Sequence, residues 1–468
     1  MPRERDPRRA FVYKDRMLFR SQNPTTGEIL ENFESDSPSR QQQILLSLQS
    51  RYQTWKVSLD QRLGALEKAE ALLRQNKEAL ARSISEEMGK LYRESLFEIE
   101  KSLTAFSFYR THSKRLLEPL SIATEMKSSV VEFQPLGVIL GVMPWNFPVW
   151  QVVRFALPAL AAGNVVLLKP APNVCRTTRI LADCFEPLQG AFDWIRCPDA
   201  QVESLIADDR VQGVSFTGSV ATGSLVASLA GKFLKKSVLE LGGSDAALIL
   251  DDAPLSASLD RCLQSRLSNA GQSCIAAKRF IVSRRRSDEC LKLLREKVSQ
   301  LRLGDPFDSS TSMGPMARED LRARLHELVQ LAQSQGMKLE LGGQIPSGPG
   351  FFYPPTLLVD HGPLKKVWNE ELFGPVVMLL IVDDESEMLS LANATSFGLG
   401  ASIHSLDHPR AMEWARQLQA GAVFINGIVR SDTRLPFGGV KNSGYGRELG
   451  EWGLKEFTNI QTIVVDHS

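Results

Sequence analysis

Cysteine is scarce in this chain: six residues among 468, Cys175, Cys184, Cys197, Cys262, Cys274 and Cys290, with no C-x-x-C pair. Such usage argues against a disulfide scaffold or a structural zinc site and points to a reduced, cytoplasmic setting. Histidine is equally sparse, six residues without ligand spacing, so no metal is expected. An excess of one charge is also lacking. The 55 Lys and Arg stand against 54 Asp and Glu, for a net charge of +1. No global field therefore recruits nucleic acid or an acidic membrane. Apolar runs such as Val376–Val382 are too short to cross a bilayer. The segment Met1 to Ala10 is basic but includes Glu4 and Asp6 and leads into no apolar stretch, which argues against a secretory signal or a transit peptide.

What is present is the composition of a globular protein, 43% hydrophobic and 23% charged, with 33 Gly and 24 Pro. The length implies two or three domains. A short arm leads to the turn-rich Asn23-Pro-Thr-Thr-Gly-Glu28. From about Ser37 to Leu117 the period is helical, with Leu66, Ala69, Leu73, Leu80 and Ile84 on one face, and two or three helices are predicted there. Past Val130, short apolar runs alternate with helical stretches. Val138–Met143, Val165–Leu168, Val214–Phe216 and Val238–Leu241 read as strands, with helices at Arg176–Phe185 and Gly223–Phe233 between them. A second series runs through Ala246–Leu250, Phe280–Val282, Val376–Val382, Ala401–Ile403 and Ala422–Ile425. The pattern predicts two doubly wound α/β domains joined near Glu240. The tail Phe457–Val465 reads as one more strand with no partner nearby in sequence.

Five segments carry candidate chemistry. A lone cysteine is usually a core residue. Cys274, however, lies in Asn269-Ala-Gly-Gln-Ser-Cys-Ile-Ala-Ala-Lys-Arg279, where small neighbours leave room for a substrate. Glu240 ends an apolar run and is followed by Gly242 and Gly243, which let another chain or a ligand approach. Partial burial would raise this carboxylate into the range of a general base. Asn146, in Pro144-Trp-Asn-Phe-Pro148, sits at the carboxyl end of a predicted strand; it either satisfies the turn or donates to an oxyanion. Lys169-Pro-Ala-Pro172 and Phe216-Thr-Gly-Ser-Val-Ala-Thr-Gly223 end two further strands. A lysine there reaches nucleotide hydroxyls or phosphate, and glycine with hydroxyls at a helix start suits a pyrophosphate.

Taken together, these segments resemble the aldehyde dehydrogenase superfamily. The match extends from Asn23–Glu28 to the last strand and includes Glu370-Glu-Leu-Phe-Gly-Pro375 and Pro436-Phe-Gly-Gly-Val-Lys-Asn-Ser-Gly-Tyr-Gly-Arg-Glu448. The resemblance implies Cys274 as nucleophile, Glu240 as general base, and Asn146 with the backbone N–H of Cys274 as oxyanion hole. It implies that the cofactor lies against Trp145, Lys169, Pro172, Gly218, Ser219, Glu371 and Phe373. Thiolate attack on the aldehyde, hydride transfer to nicotinamide and thioester hydrolysis would follow. The implied architecture is a cofactor domain (1–111 and 131–239), a catalytic domain (240–436) and a small β bridging and oligomerisation element (112–130 and 437–468). That element would add its tail strand to a partner subunit, giving a homodimer or homotetramer.

Within the superfamily the chain is most similar to succinate-semialdehyde dehydrogenases of the short bacterial type. The similarity rests on Trp150-Gln-Val-Val-Arg154, the pairing of Glu240 with Asp245, Ala276-Ala-Lys-Arg-Phe280 and Phe424-Ile-Asn-Gly-Ile-Val-Arg-Ser-Asp432. It implies a substrate site of Arg154, Ser431 and Phe437, with Arg154 pairing the remote carboxylate and Arg430 and Arg434 as rival cations. Three departures stand out. Pro172 neither repels nor binds a 2′-phosphate, so NAD+ is expected with NADP+ accepted. Ser244 replaces a lysine common after the glycine pair, and Ala276 excludes a local disulfide with Cys274. Arg154 argues against a cationic amino aldehyde but not against glutarate semialdehyde. Glu240 argues against acyl transfer to coenzyme A. A non-catalytic homologue would have little use for Cys274, Glu240, Asn146 and Glu371 together.

Overall fold

The computed structural model describes residues 18–361 and 366–467. The segment Met1 to Ala10, read above for targeting, lies outside them. The chain enters through a hairpin, Leu18–Gln22 paired with Ile29–Glu34, closed by the Asn23–Glu28 turn. Helices α1 (Pro38–Trp55), α2 (Leu59–Gln75), α3 (Lys77–Met88) and α4 (Tyr92–Leu116) follow. Ser37 and Ser58 cap the first two through their side chains, and Pro38 opens α1. The five apolar residues singled out by periodicity are all fully buried. There are four helices rather than two or three, because α2 and α3 are separated by Asn76 alone. Its amide bonds back to the Leu72 carbonyl and turns the chain without interrupting the apolar pattern.

Two sheets carry the rest. The first has the spatial order Gly444–Tyr445, Lys236–Glu240, Val211–Thr217, Val138–Val142, Val165–Lys169, Phe192–Trp194. Five of these strands are parallel, and the short Gly444–Tyr445 is antiparallel at the edge. Its crossovers include α5 (Trp150–Ala162), α6 (Cys175–Cys184), α7 (Val202–Ala207) and α8 (Val220–Lys232). Every residue of α5 is buried, including Gln151 and Arg154. The second sheet runs Lys338–Leu341, Thr356–Asp360, Val376–Val382, Ala277–Ser283, Asp245–Ile249, Gly400–His404, Ala422–Ile425. Only its first strand is antiparallel. Helix α9 (Leu255–Leu267) leads from Asp245–Ile249 towards the cysteine segment. Both sheets are of the doubly wound type that the strand and helix pattern predicted.

The tail is a strand, and its partner in this chain is remote in sequence. Thr458–Val465 pairs along its whole length with Ser128–Pro135 of the same chain, in a three-stranded sheet completed by Leu120–Ser121. The partner strand lies more than 300 residues earlier, so local sequence does not reveal it. The segment 437–468 is therefore divided: Gly444–Tyr445 extends the first sheet, and only the tail joins the small one.

One buried carboxylate fixes the turn that follows Lys169. Glu87 of α3 accepts hydrogen bonds from the backbone N–H groups of Arg176 and Thr177 (3.1 and 3.0 Å) and from the hydroxyls of Ser21 and Thr177 (both 2.6 Å). It satisfies the first turn of α6, where the free N–H groups and the helix dipole favour negative charge. Glu87→Ala should destabilise the fold by about 1–3 kcal/mol, with Glu87→Gln intermediate. A thermal melt measures this, and an unchanged midpoint for the alanine variant would show that the contact contributes little.

Candidate active site

The two sheets face each other with opposite polarity. From the first come carboxyl ends: Val138–Val142 leads into Pro144–Asn146, Val211–Thr217 into Gly218 and Ser219, and Glu240 is the last residue of its strand. From the second come amino ends: Gly242 and Gly243 precede Asp245–Ile249, Cys274 precedes Ala277–Ser283, and Glu371 and Phe373 precede Val376–Val382. Between them lies one cleft lined by Trp145, Asn146, Gly218, Ser219, Glu240, Cys274, Glu371 and Phe373. All eight were singled out from sequence. Pro144, Gln151, Thr217, Leu241, Gly242 and Leu321 complete the lining.

The thiol is carried on a strained loop. Asn269, Ala270 and Gly271 all have left-handed backbones, with φ of 54°, 52° and 73°. For the two residues with side chains this is costly, and the surroundings must hold it. Arg266, at the end of α9, does so while fully buried. It donates to the carbonyls of Gly271 (3.3 Å), Leu372 (2.6 Å), Gly374 and Val376 (2.6 Å). Glu94 of α4 accepts from the Asn269 N–H and the Ser268 hydroxyl. Lys278, also fully buried, donates to the carbonyls of Ser273 and Cys274, 3.7 Å from Glu371. The glycine pair is needed here: a Cβ on Gly243 would lie 2.6 Å from the Cys274 carbonyl oxygen, and one on Gly242 2.5 Å from Glu371. Cys274 is only partly covered, whereas the other five cysteines are buried. Burial pushes its thiol up to about 12, with Lys278 and Arg154 pulling the other way.

Asn146 is aimed by its neighbours. Its side-chain amide donates to the Gln272 carbonyl at 3.0 Å, while its own carbonyl accepts from Lys90 and from the Asn269 side chain, both at 2.9 Å. Because an amide nitrogen carries two hydrogens, one is left for the cleft. Glu240 is 2% exposed, and neither carboxylate oxygen has a hydrogen-bond partner among the described residues. Burial raises it well above the usual carboxylate range; Arg154 lowers it and Glu448 raises it. That state suits a base that takes up a proton near neutrality.

Other predicted residues lie elsewhere. Arg154 stands apart from the lining. Its guanidinium is ion-paired with Glu448 and lies 4.7 Å beneath the Phe437 ring, and it is not part of the cleft lining. Glu448 is 3% exposed and has no other cation at ion-pair distance among the described residues, so it holds the arginine inside. Phe437 thus covers an ion pair. Ser431 is buried, and its hydroxyl accepts from Lys101 at 2.7 Å and from the Trp150 indole at 3.1 Å. Lys169 is nearly covered and ion-paired with the exposed Asp199. Pro172 lies three residues beyond, outside the cleft lining. Ser219 caps α8 by accepting from the Thr222 N–H. Arg434 is held by Asp432 at the surface. Sequence reasoning missed Arg266, Lys278, Glu94, Lys90 and Gln272. For Lys278 a signal existed: Lys278 and Arg279 are charged residues inside an otherwise apolar strand.

Thiol, amide and carboxylate converge on one cleft, and its aromatic side is formed by Trp145 and Phe373, edge to face at 5.8 Å. This is the arrangement implied by the sequence resemblance, and comparison with known proteins agrees. The chain belongs to the aldehyde dehydrogenase family, whose model matches residues 11–463. Among curated relatives it is 40% identical to a succinate semialdehyde dehydrogenase, named for NAD(P)+, of Escherichia coli strain K12, over 95% of this chain and 97% of that one. It is 41% identical to a probable NADP(+) succinate-semialdehyde dehydrogenase of a Synechocystis strain, over 94% and 98%. Among solved structures, the succinic semialdehyde dehydrogenase of Streptococcus pyogenes in complex with NADP+ superposes with a TM-score of 0.93 at 33% identity, covering 96% of this chain and all of that one.

Exposure and acidity together set the reactivity of the thiols. Iodoacetamide should label the folded protein at Cys274 first, and Cys274→Ser should remove the fast phase. Because the thiol is shifted upward, the rate should rise roughly a hundredfold from pH 7 to pH 9. Peptide mapping by mass spectrometry reads the site; equal labelling of a buried cysteine would contradict the geometry.

Proposed function

We propose that the chain is an NAD(P)+-dependent aldehyde dehydrogenase that oxidises succinate semialdehyde to succinate. The observation that carries the chemistry is the convergence of the Cys274 thiol, the Asn146 amide and the unpartnered Glu240 carboxylate on one cleft. The substrate is supported by the names of the relatives at about 40% identity.

In this reading Glu240 removes the thiol proton, and the Cys274 thiolate attacks the aldehyde carbon. The resulting oxyanion is held by the free N–H of Asn146 and the backbone N–H of Cys274. A nicotinamide held beside Trp145, Glu371 and Phe373 would supply the hydride acceptor that takes this carbon to the thioester level. Once Glu240 has passed the thiol proton to solvent it takes one from water, the hydroxide adds to the thioester, and the acid leaves as Glu240 returns its proton to the departing thiolate. The cleft suits a dinucleotide: Ser219 at the start of α8 sits beside free helix N–H groups for phosphates, with Gly218 before it. Glu371 would take a ribose, Lys169 the other ribose, and Trp145 and Phe373 would flank the ring. The two sheets support a domain division at 239/240, with 1–111 and 131–239 to hold the cofactor and 240–436 the thiol. A homo-oligomer is supported by the outer edge of Thr458–Val465, where Ile460, Ile463 and Val464 are exposed. Six free thiols support a cytoplasmic setting, and no helix among the described residues is long and apolar enough to cross a membrane.

Reduced-cofactor absorbance with succinate semialdehyde, glutarate semialdehyde and butanal tests the reading. Succinate semialdehyde should be turned over best. Turnover of butanal alone would remove the substrate while keeping the chemistry. Glu240→Gln should lower kcat by roughly 10²–10⁴-fold while leaving cofactor binding intact. In the parent enzyme activity should rise with pH as Glu240 ionises, on a limb displaced upward from the ordinary carboxylate range. That limb should vanish in the variant, and its survival would assign the base elsewhere.

Cofactor choice follows from Lys169. Pro172 contributes no charge, but Asp199 sits on the lysine with its side chain 56% exposed. A 2′-phosphate there would compete for Lys169 and face a carboxylate. This supports NAD+ with NADP+ accepted. Asp199→Asn should tighten NADP+ relative to NAD+ by roughly tenfold. Quenching of tryptophan fluorescence measures both affinities without turnover, and an unchanged ratio would show that Asp199 does not face the 2′ position.

A further inference from the structure

The second donor to the oxyanion, the Cys274 N–H, belongs to the peptide unit whose carbonyl is that of Ser273. In a trans peptide these two groups point in opposite directions. The Ser273 carbonyl accepts from the Lys278 ammonium at 2.8 Å and from the Ala276 N–H at 3.2 Å. The Cys274 N–H donates to no acceptor among the described residues, and Cys274 lines the cleft. One end of this peptide is thus doubly engaged while the other is free.

Lys278 also donates to the next carbonyl, that of Cys274. One ammonium therefore holds both peptide planes that flank the Cys274 Cα. It is fully buried on the strand Ala277–Ser283, with Glu371 at 3.7 Å. Asp245, also buried, is the second carboxylate whose charge reaches it, and Arg266 is the cation that opposes them. Burial works against the ammonium, but two carboxylates around it favour its charged form. A carbonyl bound by a cation draws electron density from its peptide nitrogen, and hydrogen bonds linked in this way strengthen one another in a dry site.

We propose that Lys278 is the positioning residue of the oxyanion hole: through the Ser273 carbonyl it orients and polarises the Cys274 N–H that receives the oxyanion. This rests on Cys274 as the nucleophile proposed above, and not on which aldehyde is bound. Lys278 reaches the reacting atoms only through the peptide, on the side away from the free N–H.

The test sets two reactions of the same thiol against each other, in the full chain without cofactor. p-Nitrophenyl acetate acylates a thiolate through a tetrahedral oxyanion: the S–C bond forms, the carbonyl oxygen takes the charge, and nitrophenolate then leaves as the acetyl thioester forms. Iodoacetamide alkylates the thiolate by displacement of iodide at a saturated carbon, with no oxyanion. The ratio of acylation to alkylation rates cancels thiolate fraction and access. Lys278→Met should lower that ratio on the order of 10–100-fold, and Asn146→Ala, which removes the other donor, should show the same signature. Lys278→Gln, which keeps a neutral donor, should lie between, and its ratio decides the matter where the methionine variant does not fold. Rates that fall together, leaving the ratio at the parent value, would make Lys278 a support of the loop alone and overturn the assignment. A parent protein whose acylation survives Cys274→Ala would overturn both the nucleophile and its positioning lysine. A parent protein acylated at Cys274 that oxidises no aldehyde, with the ratio still lowered in the lysine variants, would overturn the proposed function and support the role of Lys278.

Discussion

The structure depends first on the grip of one buried arginine on backbone carbonyls. The loop carrying Cys274 passes through three left-handed residues, two of them with side chains. Such conformations cost on the order of 1–3 kcal/mol each unless the surroundings impose them. Arg266 imposes them by gathering the carbonyls of Gly271, Leu372, Gly374 and Val376 around a single guanidinium. Burial lowers its pKa to about 9, which is the mark of a cation held by dipoles more than by a partner carboxylate. The clamp ties two chain segments a hundred residues apart. Through it the position of the thiol and that of Glu371 and Phe373 are set by one side chain.

Lys278 makes the same connection from the other side, holding the carbonyls of Ser273 and Cys274 while lying beside Glu371. Asp245 faces it, raised by burial to about 7 and lowered by that lysine. The family resemblance marks Ser244 as a departure from an expected lysine. In this fold Ser244 donates to the Trp368 carbonyl, and the cation near the glycine pair comes from the neighbouring strand. A lysine at 244 would stand in the same dry region as Lys278 and Arg279, both fully buried. Serine at 244 therefore leaves that region to Lys278 and Arg279.

Much of this was legible in the chain, and the part that was not has a physical reason. Strand ends with special residues announce themselves locally: glycine where another chain must approach, serine where a helix begins, a carboxylate closing an apolar run. Hence eight of the residues lining the cleft stand out in short motifs. What was hidden depends on distance in sequence. Nothing near Arg266 says that its partners are carbonyls beyond position 270, and nothing in the tail says that it pairs with Ser128–Pro135. The break between α2 and α3 was hidden for the opposite reason, since one asparagine turns the chain without disturbing the apolar period. Arg154 was assigned by its spacing from Asn146. Spacing gives the helix and the face, but not which buried carboxylate reaches the guanidinium first.

That last case bears on how charge is arranged around the reaction. Glu240 must remain without hydrogen-bond partners if it is to take up a proton near neutrality, yet a lone carboxylate in a dry site is unstable as an anion. Glu448, buried nearby, adds a second negative charge. Without Arg154 the two carboxylates would push each other further towards the neutral form, and Glu240 would hold its proton too tightly to act as a base. With Arg154 bound to Glu448, one charge is neutralised and the remaining field of the guanidinium still favours ionised Glu240 and ionised Cys274. The Arg154–Glu448 pair therefore sets the charge balance in which Glu240 sits.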